Sequence, residues 1–259
     1  MPVEVEYASL NGRSLTLDVH ASTMAGPAPA VVYVHGGGWS GGTKRDEMPL
    51  FEALAACGVT VFSVEYRLAP QDPWPACIDD VRSAIAWVAK HASDHNANGS
   101  KLGVVGYSAG GQLAAHASFI DAHPAIAAVV LLAAPTDMVL DTLRRGGPSP
   151  SLMNLFGKKE IDAELLETLW AVSPINYVRH GLPPVLLLNG TADKSVPHAQ
   201  SAHLHQRLSD MNVRSDLVSL EGAEHRIRDW KNVDKAWPDR VGRWLRETLA
   251  APVSTKPAE

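Results

Sequence analysis

Apolar and polar residues alternate along the start of the chain in two short runs, 3–7 and 14–19, on either side of Asn11-Gly12. Alternation at period two predicts strands with one buried face, and Asn-Gly between them is a strong short-range hairpin signal. The pattern then changes. Residues 30–35 (Ala-Val-Val-Tyr-Val-His) are apolar on both faces, as a strand inside a parallel sheet must be. Further runs of this kind fall at 59–64, 102–106, 127–132, 184–188 and 214–220. Between them, helical periods cover 48–56, 76–90, 110–120, 198–209 and 233–250. Strand and helix in turn, behind a leading hairpin, predict an α/β architecture: a mostly parallel sheet of about eight strands with helices on both faces. The carboxyl ends of the parallel strands then share one edge, where such sheets bind ligands.

Two stretches stand outside the alternation. Residues 138–178 read as a small cap inserted on the rim of the sheet, with a loop at Arg144-Arg145-Gly146-Gly147-Pro148 and a helix over 162–170. Residues 251–259 are mainly Pro, Ser, Thr and Ala without periodicity, as in a disordered tail. The remainder, 1–250, is a length that one domain can fill. Hydrophobic residues make up 46% and charged residues 20% of the 259, enough apolar material for a substantial core. A formal net charge of −5 with no basic run argues against nucleic acid as a partner. The longest strongly apolar run, 126–134, is too short to span a membrane, so no membrane partner is expected. Cys57 and Cys77 are too few for a disulfide framework and are expected as free thiols. The start, Met-Pro-Val-Glu, lacks the basic and apolar regions of a signal peptide. That leaves a cytoplasmic protein, or a secreted or periplasmic one whose leader has been removed. A homodimer is compatible with the sequence.

Gly106-Tyr107-Ser108-Ala109-Gly110 is a G-x-S-x-G sequence between a predicted strand and a predicted helix. In that setting the glycines permit a sharp turn with the serine exposed at its apex; outside it the motif is only a glycine-rich turn. A serine hydroxyl is a poor nucleophile near neutral pH and needs a base, and a group to orient that base. Asp193 and His225 each follow a predicted strand and so fall on the edge that carries Ser108. The chain order Ser, Asp, His is the one expected when such a turn holds the nucleophile. Of the eleven histidines only His35 and His225 follow buried strands. Asp137, also just after a strand, is the rival to Asp193. The candidate catalytic residues are Ser108, Asp193 and His225.

His35-Gly36-Gly37-Gly38-Trp39 follows the first central strand. Acyl transfer builds negative charge on a carbonyl oxygen, and each fixed N–H donor there is worth about 3 kcal/mol. The amides of Gly37, Gly38 and Ala109 are the candidates for that oxyanion hole. A phosphate loop would need Gly-Lys-Ser/Thr or a helix-opening G-x-G-x-x-G, and a zinc site His-Glu-x-x-His or paired Cys and His. Neither pattern is present, so no metal and no cofactor is expected. Trp39 and Tyr107 belong to these loops and Trp74 follows the motif at 66–70; all three are candidates for lining a substrate cleft.

Together, His35-Gly36-Gly37-Gly38, Tyr66-Arg67-Leu68-Ala69-Pro70, the turn at Ser108, Asp193 ahead of Val196-Pro197, and His225 resemble the α/β-hydrolase fold. More narrowly they resemble the hormone-sensitive-lipase-like esterases and the related acetylxylan and feruloyl esterases, over residues 3–248. The resemblance implies a serine carboxylesterase acting on short-chain acyl esters, acetyl or feruloyl esters of carbohydrates among them, with a small-molecule or oligosaccharide ester as its partner. It also implies that Arg67 pairs with Asp79 or Asp80 for structural reasons. Two departures matter. Many relatives carry a long helical cap ahead of the first central strand, absent here, which implies an open site. Arg226-Ile227 stands where a small residue and an aromatic usually follow the histidine. The alternatives are an arylformamidase-type amide hydrolase, whose members tend to have tyrosine at the place of Gly38, a non-catalytic ligand-binding protein on the same fold, which would have lost a triad member, and an oligopeptidase, which would bring a propeller.

Overall fold

The computed structural model describes residues 2–250. The leading hairpin is β1 (Val3–Leu10) and β2 (Arg13–His20), joined through Asn11 and Gly12, both at positive φ as a type I′ turn requires. The chain continues through β3 (Ala28–Val34), α1 (Met48–Ala56), β4 (Thr60–Val64), α2 (Ala76–His91), β5 (Ala97–Tyr107), α3 (Ala109–Ala115) and β6 (Ile126–Leu132). Three rim helices follow, α4 (Met138–Arg145), α5 (Pro150–Phe156) and α6 (Ala163–Ala171). The chain then returns through β7 (Val185–Gly190), α7 (His198–Asp210), β8 (Ser215–Leu220) and α8 (Trp237–Ala250). The sheet order is β1-β2-β4-β3-β5-β6-β7-β8. β3 to β8 pair in parallel, and the hairpin joins antiparallel through β2 against β4. This is the α/β-hydrolase architecture.

The doubly apolar strands are buried on both faces. Val31 and Tyr33 face one core with α1 and α8; their neighbours Val32 and Val34 face the other with α2, α3 and α7. Removing a side chain such as Trp230, fully buried in the first core, costs about 3–5 kcal/mol. Beside β4, Asp80 of α2 is fully buried and takes the Arg67 guanidinium at 2.7 Å and the Arg67 amide at 2.8 Å, while Asp79 pairs with Arg82 at 2.7 Å. The structural ion pair is therefore Arg67 with Asp80.

Several boundaries differ from the sequence reading. The expected helix 110–120 ends at Ala115 and continues as a π turn over His116–Ile120. The expected helix 233–250 begins only at Trp237, because Asp234 accepts the amide of Ala236 and Pro238 fits the first helical turn. On the rim, the expected loop from Arg144 starts inside α4, which Asp137 caps and Gly146 ends; Ser149 caps α5 with Pro150 behind it, and Asp162 caps α6. Cys57 and Cys77 are free. The tail 251–259 lies outside the described residues. Among the described residues no helix is long and apolar enough to cross a membrane.

Candidate active site

Ser108 stands directly after β5. Its amide donates to the Leu132 carbonyl at 2.9 Å, and its own carbonyl accepts from Gly111 at 2.9 Å and Gln112 at 3.2 Å. The chain therefore passes from strand to α3 across one residue, which holds φ 51° and ψ −119°. The turn closes against β3 because Gly110 has no side chain: a Cβ there would lie 2.2 Å from the Val34 carbonyl oxygen.

Asp193 follows β7 and is buried. One carboxylate oxygen accepts the amides of Ser195 and Val196, each at 2.8 Å, and the other lies 2.7 Å from His225 Nδ1. His225 follows β8, and its Nε2 lies 3.0 Å from Ser108 Oγ. A carboxylate can only accept, so Nδ1 carries the proton directed at Asp193 and Nε2 is left to receive the hydroxyl proton of Ser108. Tyr107 donates its phenol to the His225 carbonyl at 3.0 Å, tying the histidine loop to the serine turn. Asp137 is occupied elsewhere, accepting the Leu140 amide at 2.9 Å as the cap of α4.

His35 is fully buried at the end of β3. It stacks on Tyr66 at 4.1 Å, its Nδ1 donates to the Gly36 carbonyl at 2.7 Å, and its own carbonyl accepts the Tyr66 phenol at 2.9 Å. Burial pushes its pKa down, so it braces the glycine loop as a neutral ring. Gly38 stands at φ +60°, where a Cβ would meet Ser151 Oγ of α5 at 2.4 Å; a side chain there would sit in a strained conformation and push Ser151 aside. Gly37, Gly38 and Ala109 line the same cleft as Ser108. Ala109 opens α3, so its amide has no partner within the helix. The backbone of Gly37, Gly38 and Ala109 thus borders the cleft that Ser108 opens on.

The cleft measures about 840 Å³. Trp39 and Tyr107 line it as expected. Trp39 is held by Gln112, which accepts its indole N–H at 3.2 Å and donates to the Val172 carbonyl at 2.9 Å. Trp74 is a correction: it does not line the cleft, and its ring packs on His116 and Phe156, centroids 5.4 and 6.0 Å away. Sequence reasoning missed Met138, Ser151 and Leu152 of the rim helices, and Glu47 and Arg228. For the rim residues the available signal was the Ser149-Pro150 helix start. Glu47 offers only an acid at the head of an apolar helix. Among the described residues no group of His, Cys, Asp and Glu could hold a metal ion.

A family model described as BD-FAE matches residues 17–208. Esterase LipQ of Mycobacterium tuberculosis is 30% identical over 229 residues, which cover 83% of this chain and 54% of that protein. The chain spans about half the length of the curated relatives it matches. Among solved structures, Est2 of the planctomycete Thermogutta terrifontis with propionate bound superposes with a TM-score of 0.79 at 25% identity, over 97% of this chain and 96% of that one. A truncated carbohydrate esterase from gut microbiota reaches a TM-score of 0.82 at 23% identity, over 96% and 97%, a likeness of fold.

Proposed function

The chain belongs to the BD-FAE family, and from that premise we propose that it is a serine carboxylesterase for short-chain acyl esters, acetyl and feruloyl esters of carbohydrates among them. The observation that carries this reading is the unbroken hydrogen-bonded line from Asp193 through His225 to Ser108 Oγ, at 2.7 and 3.0 Å, opening on the cleft. Ser108 Oγ attacks the ester carbon as its proton passes to His225 Nε2. The carbonyl oxygen takes up the negative charge against the amides of Gly37, Gly38 and Ala109. As the C–O bond to the alcohol breaks, His225 returns the proton to the leaving oxygen. Water then repeats the cycle on the acyl-enzyme, releasing the acid and restoring Ser108. Asp193 holds the imidazole in the required tautomer and stabilises it when charged.

Trp39, Met138 and Leu152 give the cleft an apolar wall against which a short acyl group can lie. The propionate and butyrate complexes of Est2 are consistent with that size. A polar alcohol suits the rest of the cleft, which carries Ser149, Ser151, Ser195 and several charged side chains.

The test is acetate release from acetylated xylo-oligosaccharide beside p-nitrophenyl acetate and butyrate. Ser108→Ala should lose on the order of 10⁴-fold or more in kcat on every ester. Turnover of the nitrophenyl esters alone would remove the carbohydrate substrates from the reading. Equal rates for parent and variant would remove Ser108 as nucleophile.

A further inference from the structure

Glu47 lines the cleft and is only 7% exposed. It immediately precedes α1, yet its side chain makes no capping hydrogen bond, and among the described residues it has no ion-pair partner. Its oxygens are not among the sealed, unpaired polar atoms of the interior, such as Tyr33 Oη, so they keep contact with the cleft. The other acids there are engaged or outside. Asp46 accepts the amide and hydroxyl of Thr43 at 2.9 and 2.8 Å, Asp141 takes Arg144 and Arg145, and Glu224 and Asp229 are exposed on the rim. A carboxyl hidden from bulk water without a partner is costly to the fold, and a bound donor would relieve it.

Its position indicates which half of an ester it would meet. Tyr107 and Arg228 both interact electrostatically with Glu47. Tyr107 is bonded to the His225 carbonyl, and Arg228 lies three residues beyond His225. Glu47, Tyr107, His225 and Arg228 line the same cleft, and the Tyr107 and His225 rings stand 5.4 Å apart, so the neighbours of Glu47 belong to the histidine side of Ser108. In the esterase reading, on which this inference rests, the departing alkoxide must collect its proton from His225 Nε2, so the alcohol half occupies that side.

We propose that Glu47 selects the alcohol half of the ester: its carboxylate accepts a hydrogen bond from a second hydroxyl on the leaving alcohol, so that esters of polyols are preferred to esters of plain alcohols. The preference depends on pH. Burial pushes the Glu47 pKa up to about 7, with Arg228 opposing and Asp46 adding to the rise. The neighbouring phenols Tyr33 and Tyr107 are themselves pushed up by burial and stay protonated throughout. The carboxylate is the better acceptor, so preference for a donor-bearing alcohol grows as pH rises through 7. Any influence of pH on the steps that both esters share cancels in their ratio.

The experiment is the ratio of kcat/KM for glycerol monoacetate to that for ethyl acetate, from pH 6 to 8.5. The parent should favour the monoacetate by about tenfold or more at pH 8, with the ratio falling toward pH 6. Glu47→Ala should bring the ratio to within about twofold of one, and Glu47→Gln should leave a reduced ratio with no dependence on pH. Arg228→Ala, at an exposed position, should move the midpoint of the ratio's pH dependence upward. An unchanged ratio in Glu47→Ala, or an unmoved midpoint in Arg228→Ala, would overturn the assignment. So would a Glu47-dependent preference for acetylcholine over the monoacetate, because that cation has no hydroxyl to donate. Turnover of neither acetate by the parent is a different failure, that of the esterase reading itself.

Discussion

Asp193 does two jobs with its two oxygens, and they separate what is chemical from what is structural at the site. The oxygen bonded to the Ser195 and Val196 amides shapes the loop, while the one facing His225 selects the tautomer. Asp193→Asn keeps an oxygen for the loop amides but presents His225 with a group that can donate. Turnover of p-nitrophenyl acetate is expected to fall by about 10⁴-fold with little change in the urea midpoint; a drop under tenfold would mean the imidazole is oriented by something else. At this scale the sequence was informative wherever chemistry needs a particular residue at a strand end. Ser108, Asp193 and His225 all sit where the reading put them. It was uninformative wherever a side chain reaches the cleft only through packing, and so it kept Trp74 and missed Ser151 and Glu47.

Elements built from buried runs were legible to within about two residues, because a strand apolar on both faces has few other places to go; β5 is the exception and starts at Ala97, five residues ahead of its apolar run. The rim helices were harder. α4 and α5 are eight and seven residues long, too short for periodicity to declare itself, and only their caps, Asp137 and Ser149 with Pro150, give them away. The link between β4 and α2 contains one buried ion pair. Asp80 is fully buried and holds both the guanidinium and the amide of Arg67. Asp80→Ala strands that cation, a loss of about 3–5 kcal/mol. In a domain of this size that lowers Tm by roughly 10 °C, measurable by calorimetry. A shift of 2 °C or less would show the pair to be replaceable by solvent.

For the whole molecule the same buried acid that faces the cleft also sets how stability varies with pH. The Glu47 pKa is raised from 4.5 to about 7, chiefly by desolvation, so between those values the folded state binds the proton more tightly than the unfolded one. Its contribution is complete below about pH 4.5 and is lost as pH climbs through 7. Glu47→Gln should remove that loss, of about 2–3 kcal/mol, from the difference in unfolding free energy between pH 5 and pH 8. Parallel pH dependence in parent and variant would place the titration on another group. Asp121 acts at the other end: burial would raise its pKa, but His116, whose Nδ1 lies 3.5 Å away, and the two hydrogen bonds of the Arg82 guanidinium hold it far below the usual range, and its contribution disappears in acid. The global arrangement, eight strands with the glycine loop, serine turn, aspartate and histidine along one edge, followed from the alternation of strand and helix, since right-handed crossovers leave little freedom once that order is known. One feature of that edge carries a cost in durability. With φ at 51° and ψ at −119°, Ser108 occupies a conformation that taxes any side chain by about 1–3 kcal/mol. Ser108→Gly, although inert, should therefore melt a few degrees above the parent even after glycine's entropy is counted. On the esterase reading, heat resistance and turnover pull this residue in opposite directions, so a screen for thermostability alone would drift toward discarding the proposed nucleophile.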